Sequence, residues 1–198
     1  MFPRKNSMAE HPAIQRTENT FFDPSPVTEF RSRSAGPQDA SALINHFQRL
    51  NVVDRYNRFF SPQSDEALQR YVETFDWTRM VATVVFSEDK LVGVAELGWD
   101  EKDVPQQAEL ALSVNLGFRH SGLATWIVSE VLQAGRRAGV HKIYASWLGG
   151  NDAISKIMQG YGATISPSAN HWIGSFCLTS EAPKRAQRSN TSTLLSPV

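Results

Sequence analysis

An alternating strand pattern over Ala108 to Val114 runs through Arg119-His120-Ser121-Gly122-Leu123-Ala124 into a long amphipathic helix beginning near Gly122. A strand that ends in a glycine-bearing turn and feeds a helix constrains the chain strongly. The first amides of the helix have no intrahelical partner, and the helix dipole adds positive potential there. A diphosphate can replace the missing acceptors, and Gly122 lets the backbone come close to it. The familiar nucleotide loops do not fit. No Gly-Lys-Ser/Thr is present to reach a terminal phosphate and its magnesium, and no three-glycine dinucleotide fingerprint occurs.

The alternation also sorts side chains. Leu110, Leu112 and Val114 share one face of the strand, whereas Glu109, Ala111 and Ser113 share the other. A carboxylate beside two small residues leaves room for a ligand. Downstream, Leu123, Ile127, Val131, Ala134 and Ala138 form the expected buried stripe of the helix, and Gly135 and Gly139 weaken its last turns. His141 to Leu148 reads as a strand. Asn151-Asp152 opens a short helix carrying Ile154, Ile157 and Met158, Gly162 ends it, and final strands run through Ile165 and Trp172 to Leu178.

Upstream, Pro37 to Ile44 reads as a turn feeding a helix with Leu43, Phe47 and Leu50 on one face. Ser61-Pro62 is expected to start a second helix that buries Leu68, Tyr71, Val72 and Phe75. Met80 to Phe86 and Leu91 to Leu97 flank the turn-like Ser87-Glu88-Asp89-Lys90 and read as a hairpin. The order is helices, hairpin, strand, helix, strand, helix, strands.

The 198 residues suffice for one domain with a substantial core, and 20 basic residues balance 20 acidic ones, so bulk charge favours neither nucleic acid nor an acidic membrane. Cys177 is the only cysteine, which excludes an internal disulfide and a multi-cysteine zinc site; no metal is expected. His171 is equally isolated. Without a signal-peptide h-region or a run of about 20 apolar residues, a cytoplasmic location is expected. Residues 1–28 and 181–198 read as flexible tails around a domain spanning 29–180, and Arg31, Arg33, Lys184, Arg185 and Arg188 as solvated basic charges at its ends. Trp126 and Trp147 read as core residues.

With this element order, the chain resembles the GNAT superfamily of acyl-CoA N-acyltransferases, whose pyrophosphate-binding pattern is Gln/Arg-x-x-Gly-x-Gly/Ala between a strand and a helix. Arg119, Gly122 and Ala124 match it, the spacing from Val114 fits, and Asn151 with Gly162-Ala163 resembles the later Asn-to-Gly segment. The likeness covers about residues 29–178. It is closest to GNAT domains of the bacterial protein-lysine acetyltransferase type, on the strength of Arg55-Tyr56-Asn57-Arg58-Phe59-Phe60.

The resemblance implies an α+β fold with a central, mixed, mostly antiparallel sheet, flanked by helices and splayed to form an acyl-CoA cleft. It implies that amides from about Phe118 to Thr125, thus Arg119, His120, Ser121, Gly122, Leu123, Ala124 and Thr125, bind the CoA diphosphate. Val114 would align pantetheine and supply an oxyanion donor nearby, and Asn151 would fix a pantetheine amide. Ser121 would also cap the helix.

An amine with a pKa near 10.4 is about one part in a thousand neutral at pH 7.4, a cost of about 4 kcal/mol before attack. A base is therefore required. Glu109 is the expected base, with Glu96 in reserve. Relatives often carry a tyrosine acid where this chain has Met158. Tyr161 is out of register, which leaves solvent or Ser155 to protonate the thiolate. The implied activity is transfer of an acetyl group from acetyl-CoA to a protein lysine or small amine; the alternative is a degenerate domain that senses acyl-CoA without transfer.

Overall fold

The computed structural model describes residues 29–100 and 106–178. The two expected tails, 1–28 and 181–198, lie outside the described residues.

Seven strands form one sheet: β1 (Phe30–Ser34), β2 (Met80–Ser87), β3 (Lys90–Gly98), β4 (Gln107–Val114), β5 (Lys142–Leu148), β6 (Thr164–Ser168) and β7 (His171–Cys177). Their spatial order is β1-β2-β3-β4-β5-β7-β6. Neighbours pair antiparallel except β4 and β5, which run parallel and meet only at Gln107↔Lys142, Ala108↔Ile143 and Glu109↔Tyr144. Beyond Glu109 the two strands diverge. The fold is thus the expected α+β sheet, mixed and mostly antiparallel, with a split in its middle.

Helices cover both faces: α1 (Ala40–Gln48), α2 (Val52–Phe59), α3 (Asp65–Glu73), α4 (Leu123–Arg137) and α5 (Asp152–Gly160). Leu43, Phe47, Leu68 and Val72 of α1 and α3 pack on Val84, Leu91 and Val94 of the hairpin. On the other side, Ile127, Val128, Val131 and Leu132 of α4 and Ile157 and Met158 of α5 join Val92, Leu97, Ile143, Trp147 and Phe176. The buried stripe of α4 includes Val128, Leu132 and Gly135, whereas Ala134 and Ala138 are only half-buried. In β7, Gly174 is there for space, since a Cβ would lie 2.8 Å from the Trp147 ring.

Several expectations need correction. Ser61-Pro62 does not open a helix; Ser64 does, its hydroxyl accepting the Ala67 N–H at 3.2 Å. The preceding α2 forms its own helix, capped by Asn51, whose side chain accepts the Asp54 N–H at 2.9 Å. Arg31 and Arg33 belong to β1 rather than to a solvated end. Arg33 donates twice to the buried Asp39, at 2.7 and 2.6 Å, and so holds that carboxyl below its usual range. Trp147 is buried but Trp126 is 36% exposed, and Cys177 is exposed.

His46 is fully buried between α1 and the sheet, with Nε2 2.8 Å from Ser113 Oγ and Nδ1 3.4 Å from the Leu91 carbonyl. The carbonyl can only accept, so Nδ1 carries the proton and the Ser113 hydroxyl donates to Nε2. Burial lowers the imidazole pKa to about 4. The unfolded chain, with an ordinary value near 6.5, then binds the proton first as pH falls, so stability present at pH 7 is lost between about 6.5 and 4. Urea melts at pH 7 and pH 4 are expected to show about 3 kcal/mol of loss from this group. His46→Gln should remove that part of the pH dependence.

Candidate active site

The split between β4 and β5 opens into a cleft of about 1540 Å³. Its walls include Glu96, Glu109, Val114, Arg119, His120, Gly122, Leu123, Ala124, Thr125 and Asn151, together with Arg58, Tyr71 and Tyr161. Of the residues singled out in the sequence, Ser121 and Ser155 are not part of the lining.

At one end the chain turns from β4 into α4. The amides of Phe118 and Arg119 are spent within the turn, on the carbonyls of Asn115 and Leu116. Those from His120 to Thr125 find no acceptor among the described residues, and the first helical bond runs from Trp126 N–H to the Gly122 carbonyl. Six consecutive amides, those of residues 120–125, are thus left without an acceptor among the described residues, whereas Phe118 and Arg119, which the expected span also included, use theirs within the turn. His120 at φ 61° and Gly122 at φ 83° both take left-handed conformations, which turn successive N–H groups toward one concavity. Gly122, not Ser121, occupies the N-cap; the Ser121 hydroxyl donates instead to the Phe118 carbonyl at 2.8 Å.

The Arg119 side chain turns back onto the protein. Its Nε donates to the Val114 carbonyl at 3.2 Å and its Nη2 pairs with Asp54 of α2 at 2.6 Å. The side chain braces the loop against α2.

Along the split, the alternation of β4 sets what is exposed. Asn115 N–H bonds to Val92 of β3, so the amides of Val114 and Leu112 point the other way, toward the open gap. Opposite, Asn151 stands at the start of α5; its side chain makes no cap bond and no other hydrogen bond among the described residues. A free carboxamide on one wall and an unpaired strand edge on the other fit a ligand with amide groups along its length.

On the α1–α3 side of the sheet, Glu109 opens into the cleft with no hydrogen-bond partner among the described residues, and Gly98 opposite it on β3 presents no side chain. Its pKa is raised, first by partial desolvation in the cleft wall, with Arg58 opposing the shift and Asp100 adding to it. Glu96 is held otherwise. Its Oε2 accepts from Arg58 Nη2 at 2.6 Å and from the Tyr71 hydroxyl at 2.9 Å, which fix the carboxylate in place, while its Oε1 is buried without a partner among the described residues. Met158 is buried in the core, and Tyr161 stacks on Phe176 at 5.2 Å with its hydroxyl directed at Ser129 of α4. Among the described residues no cluster of His, Cys, Asp or Glu could hold a metal ion, and no helix is long and apolar enough to cross a membrane.

An acetyltransferase (GNAT) domain model matches residues 31–164, and the chain belongs to the GNAT acetyltransferase family. The fold agrees. The GNAT domain of Streptomyces lividans PAT superposes with a TM-score of 0.65 at 18% identity, over 75% of this chain and 90% of that one. An N-acetyltransferase from Staphylococcus aureus Mu50 gives 0.61 at 16%, over 76% and 99%. YncA of Salmonella typhimurium, whose structure carries its cofactor acetyl-CoA, gives 0.60 at 18%, over 80% and 99%.

Proposed function

We propose that this protein transfers the acetyl group of acetyl-CoA to a primary amine, a protein lysine or a small-molecule amine, with Glu109 as the base. The observation that carries the reading is the run of unpaired amides from His120 to Thr125 at one end of a cleft whose other end holds an unpaired carboxylate. The amides and the N-terminus of α4 suit a diphosphate. Bound there, acetyl-CoA supplies a thioester-activated acyl group.

The side chain of Asn151 fixes the donor's amide chain against the open edge of β4. The Glu109 carboxylate takes the proton from the amine, directly or through one water, and its raised pKa brings it closer to that task at neutral pH. The Val114 amide faces the gap and is placed to donate to an oxyanion. No acid among the described residues is assigned to the thiolate, which solvent can protonate because a thiol's own acidity is near pH 8.5. The cleft's acceptor side is acidic, with Glu109 and Asp100 on β3 and β4 and their margins, which favours an ammonium-bearing acceptor. The cytoplasm is the proposed setting.

The test is a thiol-release assay with acetyl-CoA, a panel of alkylamines and amino acids, and lysine-containing peptides. Turnover with any of these supports the transferase. Donor binding by calorimetry with no release across the panel assigns the sensor reading instead, and no donor binding removes both.

A further inference from the structure

The Arg55-Tyr56-Asn57-Arg58-Phe59-Phe60 segment divides its labour. Arg55 is a staple, donating to the carbonyls of Gln48, Leu50 and Gln63 and pairing with Asp65 of α3 at 2.7 Å. Arg58, one turn on, goes inward. Its guanidinium carbon lies 5.9, 4.8 and 5.6 Å from the ring centres of Phe47, Phe59 and Tyr71. Its side chain is 11% exposed and that of Glu96 6%, yet both line the cleft.

The sheet register sets what this buried cation faces. Glu96 stands opposite Ala111, and Glu109 opposite Gly98, so the two carboxylates are diagonal neighbours on one face of the β3–β4 pair. Diagonal pairs lie about 7–8 Å apart at the backbone, within reach of long side chains. Like charges placed this close repel one another, and a cation between them offsets that cost. The groups facing Glu109 are Arg58 from α2, Asp100 at the end of β3, Glu96 diagonally on β3 and Tyr144 in register on β5; Tyr71 of α3 bonds to Glu96, and Arg79, also in the cleft wall, is paired with Asp76 at 3.3 Å.

We propose that Arg58 is a positioning residue for the acceptor end of the cleft: its ring-caged guanidinium ties Glu96 aside and leaves Glu109 as the ionised carboxylate that meets the amine. The proposal rests on the base assignment above. It also explains the residue type. A lysine among three rings can shed its proton, whereas a guanidinium keeps its charge and satisfies Glu96 and Tyr71 from one nitrogen.

The test needs neither donor nor acceptor: a pH titration of side-chain carboxyl 13C signals in the full chain, with Glu109 assigned by its disappearance in Glu109→Gln. In Arg58→Gln the Glu109 midpoint is expected to rise by about one pH unit or more, and in Arg58→Lys by less. A folded Arg58→Gln protein with an unmoved midpoint overturns the proposal. If that variant does not fold, Glu96→Gln supplies the opposite arm. With Glu96 neutral, Arg58 acts on Glu109 unshared and the midpoint is expected to fall; an unchanged value overturns the proposal equally. A merely structural Arg58 leaves the Glu109 midpoint unmoved in Arg58→Gln. The titration judges the electrostatic link, and turnover by Glu109→Gln judges the base, so the two readings fail separately.

Discussion

Glu109→Gln is expected to lower kcat for acetyl transfer by about 10²–10⁴-fold, the usual range for removing a positioned base. Gln keeps the size of the side chain and its place opposite Gly98, so the change tests the proton and little else. Because the carboxylate makes no hydrogen bond to the described residues, its loss strands no partner, and the melting temperature should stay near that of the parent. The acidic limb of kcat/KM in the parent reports the same group. Only the deprotonated form can accept a proton, so rate rises with pH through the Glu109 pKa, and that limb is expected above the ordinary carboxylate range because the surroundings raise it. Glu109→Gln should abolish the limb. Steady-state kinetics from pH 4 to 9 decide the matter, and a variant as active as the parent would return the role of base to solvent.

The second large effect is at the other end of the cleft. Gly122→Asp puts a carboxylate among amides that await an acceptor, and the side chain both repels a diphosphate and competes for its donors. Hydrogen bonds to charged groups are worth about 1.5–3 kcal/mol each, so losing two of them weakens donor binding by about 100-fold or more. The substitution is chosen to spare the fold. Nothing lies within 4 Å of a Cβ at this position, and although φ is 83°, Asp is among the residues that tolerate the left-handed region best. Calorimetry with acetyl-CoA beside a thermal melt separates the cases: retained stability with lost affinity supports the cradle, and unchanged affinity would place the diphosphate elsewhere.

These two sites differ in how visible they were. The β4-to-α4 passage is local: alternation fixes which side Glu109 takes, and a glycine before an apolar helical stripe marks the turn, so six neighbouring residues carry most of the signal. Roles that depend on distant partners were hidden. Arg119 fits the sequence pattern, yet its guanidinium goes to Asp54, 65 residues away. Glu96 stood in reserve to Glu109, and nothing local to its strand shows that α2 brings Arg58 against it. The β1 strand escaped notice because Phe30-Arg31-Ser32-Arg33-Ser34 has hardly any apolar alternation; its place comes from pairing with β2 and from the Arg33–Asp39 contact. Trp126 misled in the opposite sense, since a large ring on a helix is not buried unless the helix turns it inward.

The α2 helix was hard to see for the same reason that it matters. It puts no apolar residue fully into the core, and it is fastened chiefly by polar side chains: Asp54 to Arg119, Arg55 to three carbonyls and Asp65, and the largely buried Arg58 to Glu96. Elements held this way open at a free energy well below that of global unfolding. Amide exchange in α2 is therefore expected to be faster than in β3, and because Asp54 holds Arg119, each opening of α2 is expected to release the brace on the β4-to-α4 turn as well.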